Sequence, residues 1–87
     1  MPKPVEMMIM SGCPYCQKAF QLIEELKDEH SEYKTVPLQI IDEKNQPELA
    51  ASYDYYYVPT FFVDKQKVLE GAPTKESVEK VFKTALS

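Results

Sequence analysis

Both cysteines of the chain stand two residues apart, in Ser11-Gly12-Cys13-Pro14-Tyr15-Cys16. A strand-like run, Val5 to Met10, comes before them and a long helical pattern follows. A lone Cys-x-x-Cys pair at such a junction reads as a redox dithiol. Two intervening residues let both sulfurs share one helical turn, within the narrow separation that a disulfide tolerates. At a helix start the unpaired backbone N–H groups and the helix dipole favour negative charge. Cys13, the more N-terminal sulfur, is therefore expected to be the attacking thiolate. Cys16 is expected to resolve the intermediate by closing the intramolecular disulfide. Pro14 suits the first helical position, where its missing N–H would have no partner anyway. Gly12 relaxes the turn and leaves the sulfur uncrowded.

Other chemistries for the pair fare worse. A zinc site needs four ligands, and the chain has no second Cys-x-x-Cys; His30 lies at the far end of the predicted helix. An iron–sulfur centre shared between two chains is the least unfavourable metal form. A permanent structural disulfide would close so short a ring that it removes little chain entropy. No metal and no tightly bound cofactor are expected.

Stepping outward, 87 residues suit one domain, residues 1–87, with a single modest core. With 44% hydrophobic and 28% charged residues the composition is that of an ordinary globular chain. A net charge of −4, and a basic complement made of lysine without arginine, argue against nucleic acid as a partner. No apolar run is long enough to span a bilayer. Met1-Pro2-Lys3-Pro4 opens no signal-peptide pattern. A cytoplasmic monomer is expected, in a compartment where an exposed pair of this kind is more often catalytic than structural.

The elements that must hold the dithiol can be traced along the chain. Val5 to Met10 suits a central strand buried on both faces. A helix is predicted from Pro14 to His30, with Ala19, Phe20, Leu22, Ile23 and Leu26 as its core stripe. Lys18 either favours the Cys13 thiolate or is simply solvated. A second strand is predicted over Lys34–Ile40, with Val36, Leu38 and Ile40 alternating; Pro37 makes it an edge strand or delays its start. Ile41 to Gln46 reads as a turn with Asn45 as a cap, and Pro47 opens a short helix. Tyr53-Asp54-Tyr55-Tyr56-Tyr57 packs four tyrosines into five positions. Tyr53 and Tyr56 are expected in the core, whereas Tyr55 or Tyr57 either shields the sheet or lines a groove beside the cysteines. Thr60–Val63 and Gln66–Leu69 form a hairpin about Asp64-Lys65, a turn without the usual glycine. Thr74 caps a last helix whose Val78, Val81, Phe82, Ala85 and Leu86 share one face. The order is β-α-β-α-β-β-α, with parallel neighbours in the first half.

With these residues in place, the chain resembles the thioredoxin superfamily, and within it the glutaredoxins. Cys13-Pro14-Tyr15-Cys16 matches the glutaredoxin tetrapeptide, and Val58-Pro59, leading into Thr60-Phe61-Phe62-Val63, resembles the family's cis-proline element. The resemblance implies a thioredoxin-like α/β fold, a four-stranded mixed sheet flanked by three helices. It also implies that Pro59 lies against Cys13 and that the Val58 backbone pairs with the substrate strand. Tyr15 resembles the tyrosine beside the glutathione site, and Thr74 and Lys75 could rebuild a carboxylate site at the last helix start.

Three departures from the pattern accompany the match. Met10 and Ser11 offer no basic residue before the turn, and Glu70-Gly71-Ala72-Pro73 stands where the family has a Gly-Gly pair. Thioredoxins keep a buried acid six residues before the first cysteine; here that residue is Met7. The expectation is a glutaredoxin-like thiol–disulfide oxidoreductase, acting on protein disulfides or glutathione mixed disulfides with glutathione as co-substrate. The alternative is a thioredoxin-like protein-disulfide reductase independent of glutathione, served by a flavin reductase or a dedicated partner. A binding module using the tyrosine-rich edge is the third possibility.

Overall fold

A computed structural model describes residues 2–87. Val5–Ile9 forms β1, and every other strand is placed by its relation to it. The sheet order is β2-β1-β3-β4, with β2 at Leu38–Asp42, β3 at Thr60–Val63 and β4 at Gln66–Glu70. β2 runs parallel to β1, from Val5 opposite Leu38 to Ile9 opposite Asp42, while β3 is antiparallel to β1 and to β4. The helices are α1 (Pro14–Glu29), α2 (Pro47–Ala51) and α3 (Lys75–Leu86). This is the thioredoxin-like α/β fold, four mixed strands and three helices in the expected order.

Two cores follow from the pleat of β1, whose successive side chains point to opposite faces. Val5 and Met7 join Phe61 and Val63 beneath α1 and α3, against Ala19, Ile23, Leu26, Val78, Val81 and Phe82. Met8, Ile41, Ala50 and Phe62 make a smaller cluster under α2. A fully buried side chain of this kind contributes roughly 1.5–3 kcal/mol. Glu6 is the exception on β1: it is 5% exposed, and its Oε1 has no hydrogen-bond partner among the described residues.

Several boundaries differ from expectation, each for a local reason. Residues Ser31–Thr35 form a 3₁₀ turn, closed by Tyr33 N–H donating to the His30 carbonyl, so the second strand begins not at Lys34 but after Pro37, the delayed start that the proline allowed. β2 then extends through Ile41 and Asp42, which the sequence reading placed in a turn. Ile41 is fully buried and Ile40 is exposed, because the parallel register with β1 turns Ile41 towards α2. Gln46, not Asn45, precedes α2, and it makes no side-chain cap. Tyr53 packs on Phe62 as expected, but Tyr56 is 84% exposed; Tyr55 packs on the smaller core in its place. Phe20 is half-buried and Leu86 exposed, both at the margins of their helical stripes. The hairpin turn has both central residues at positive φ, Asp64 at 50° and Lys65 at 69°. That is the conformation a two-residue hairpin needs, reached here without glycine. Among the described residues no helix is long and apolar enough to cross a membrane.

Candidate active site

β1 delivers the chain to the sheet's end, and a tight turn sends it into α1. Gly12 takes φ of 82° in that turn, and a Cβ there would meet nothing within 4 Å. The glycine is therefore needed for its backbone conformation and not for space. The Cys13 N–H donates to the Met10 carbonyl at 3.2 Å, closing the turn. Cys13 is the N-cap of α1, and its Sγ accepts the Cys16 N–H at 3.4 Å. The Cys13 sulfur thus stands in for the capping oxygen and faces the positive end of the helix dipole.

The two sulfurs differ sharply in environment. Both are free thiols; Cys13 is half-buried and Cys16 is 3% exposed. Burial pushes the Cys16 thiol up to about 12, helped by its contact with the Cys13 sulfur and by the negative charge of Asp42. Cys16 is therefore a neutral thiol at physiological pH, and Cys13 is the sulfur that another disulfide can reach.

The second half of the site comes from the loop before β3. The Val58-Pro59 peptide bond is cis, and the Cys13 Sγ lies 3.9 Å from the Val58 carbonyl oxygen. Pro59 is fully buried, and its carbonyl accepts the Gly71 N–H at 2.9 Å. The Thr60 hydroxyl donates to the Tyr57 carbonyl. Glu70 completes the support: its Oε2 accepts the N–H groups of Tyr56 at 2.5 Å and Tyr57 at 2.9 Å, and its Oε1 pairs with Lys67 at 2.9 Å. The Tyr56 N–H, then Lys67, then the Tyr57 N–H hold this carboxyl down at about 2.

The structure brings together Cys13, Cys16, Val58 and Pro59, with Tyr15, 56% exposed, beside the sulfurs on the first turn of α1. It does not bring in Lys75. That Nζ pairs with Glu29 Oε2 at 2.5 Å, and Glu29 closes α1 about 24 Å beyond Cys13 at 1.5 Å per residue. The Thr74 hydroxyl is engaged in a capping box with Ser77. Lys18 is exposed. A cleft of about 430 Å³ near α2 is lined by Tyr53, Tyr55, Tyr56 and Glu43, and by neither cysteine.

Asp42 was missed by sequence reasoning. The β1–β2 register sets it opposite Ile9, and its Oδ2 accepts the Ser11 hydroxyl at 2.6 Å. That bond, with the Lys44 N–H at 2.9 Å, holds its carboxyl below the usual range. Only strand pairing creates this contact, so no local pattern could have signalled it. Glu70 stands in the sequence only as part of the stretch that replaces a Gly-Gly pair; its two backbone donors become visible only once β4 is paired with β3.

Comparison with known proteins agrees with this geometry. Residues 3–83 match the family model described as thioredoxin domain. The thioredoxin of Methanocaldococcus jannaschii is 29% identical over 82 residues, 94% of each chain. Among solved structures, a Schistosoma mansoni thioredoxin pre-protein superposes with a TM-score of 0.73 at 23% identity, covering 97% of this chain and 79% of that one. A malarial protein gives 0.74 at 15% identity over the whole of both chains. The chain belongs to the thioredoxin-domain family and is a thioredoxin-like thiol–disulfide oxidoreductase.

Proposed function

We propose that the protein is a thioredoxin-type reductase of protein disulfides that works without glutathione. The observation that carries this is the asymmetry of the dithiol: a reachable Cys13 facing the Val58 carbonyl, in front of a buried, neutral Cys16. Cys13 thiolate attacks one sulfur of the substrate disulfide, forming a mixed disulfide and releasing the other sulfur as a thiolate that takes up a proton. Cys16 then loses its proton and attacks the Cys13 sulfur, expelling the second substrate thiolate. Two electrons pass to the substrate and the Cys13–Cys16 disulfide remains, to be reduced by a flavin reductase or a dedicated partner. Val58 and Pro59 position the substrate strand.

Glutathione independence is supported by the lack of a basic residue in the turn before Cys13 and by the ion pair that engages Lys75. Met10 and Ser11 are uncharged and Lys75 is engaged with Glu29. The Cys-Pro-Tyr-Cys tetrapeptide favours the glutaredoxin-type alternative, so the decisive experiment must separate the two. The protein is assayed for insulin-disulfide reduction with dithiothreitol and then equilibrated in glutathione buffers, with mass spectrometry of quenched samples. Expected are insulin reduction, a potential near −270 mV and no lasting glutathione adduct. Cys13→Ser should abolish reduction, and Cys16→Ser should stop at the mixed disulfide. A Cys13–glutathione adduct with fast turnover and a potential of about −200 to −230 mV would decide for a glutaredoxin.

A further inference from the structure

Consecutive backbone N–H groups that converge on one point form a ready seat for an anion. The N–H groups of Tyr56 and Tyr57 do this, two residues and one residue before the carbonyl that faces Cys13. The seat is filled by the chain's own carboxylate, Glu70 Oε2. Tyr56 and Tyr57 themselves are 84% and 69% exposed, so the chain immediately before the Val58 carbonyl is open to an approaching substrate. Lys67, the nearby cation, is bound to the other oxygen of the same carboxylate.

We propose that Glu70 is a specificity-determining residue, which occupies the anion seat just before the Val58 carbonyl that faces Cys13 and turns the dithiol away from disulfides that carry carboxylates next to the S–S bond. The preferred substrates are extended protein segments that are neutral or basic around their disulfide. A substrate carboxylate arriving there finds both donors taken and a like charge in place, a repulsion that lowers its rate by roughly fivefold in water. This extends the proposed function, since it rests on Cys13 as the attacking sulfur.

The test uses the full chain with Cys16→Ser, so that only the first exchange step is read. Second-order rates of Cys13 are measured with glutathione disulfide, which is anionic, and with 2-hydroxyethyl disulfide, which is neutral. Glu70→Gln keeps an acceptor for the two N–H groups but removes the charge; Glu70→Ala also empties the seat. Whatever change in rate the two disulfides share from the altered loop support, both variants should raise the anionic-to-neutral ratio about fivefold, Glu70→Ala by more, with the gain fading at high salt. An unchanged ratio in both variants, or a parallel fall in both rates, would overturn the inference while leaving the reductase reading intact. Failure of Cys13 to react with either disulfide would sink both.

Discussion

Cys16 is chemically quiet because of where it sits. Its side chain is buried behind Cys13, and that burial raises it to about 12. The folded value lies above the unfolded one, so its contribution to stability is complete below about pH 9 and is lost as pH climbs towards 12. Iodoacetamide treatment of the reduced protein at pH 8 should give one adduct, on Cys13, by peptide mass spectrometry. A second adduct should appear only in denaturant or above about pH 11, together with loss of structure; two equal adducts at pH 8 would contradict the buried placement. The cysteine pair and its place at a helix start were legible from spacing alone, because helix-start geometry is local. Asp42 and the seat filled by Glu70 were not, since they arise from residues that strand pairing brings together. Lys75 shows the opposite failure: a charge near a helix start invites a functional reading, and a long-range ion pair with Glu29 claims it.

Elements were legible where local signals agree. Thr74, followed by an apolar stripe, marked α3, and its hydroxyl does accept the Ser77 N–H at 3.1 Å while Ser77 Oγ accepts the Thr74 N–H at 2.9 Å. Thr74→Ala should cost about 1 kcal/mol, measured as a lower urea midpoint with an unchanged slope. A loss below a few tenths would mean that the cap is solvated and contributes nothing. The second strand was placed early because Val36, Leu38 and Ile40 alternate, a pattern that any half-buried strand shows. Its parallel register with β1 decided otherwise, making Ile41 core and Ile40 surface. The tyrosines misled in the same way. Spacing from Leu49 favours Tyr56 for the interior, but the chain leaves helical geometry after Ala51, so that spacing no longer describes a face. Tyr55 goes inward and donates to Glu43 at 2.9 Å.

At the scale of the molecule, the β-α-β-α-β-β-α order could be read in full because each connection is short and each helix or hairpin admits few placements. Handedness and order then set β1 and β3 at the centre and leave β2 and β4 as edges. The division of the core into a large cluster under α1 and α3 and a small one under α2 follows from that arrangement. Glu6 lies in the middle of this construction, a carboxylate in the central strand with one oxygen unpartnered. A buried polar atom without a partner costs about 1–3 kcal/mol, a large fraction of what a domain of this size holds in reserve. Its strand ends in the turn that carries Cys13, yet Glu6 itself sits opposite Gln39 on one side and Phe62 on the other, in the middle of the sheet. Heat tolerance and catalysis are therefore separable in this fold: Glu6→Met should raise the melting temperature by several degrees in calorimetry and leave the rate of insulin reduction unchanged.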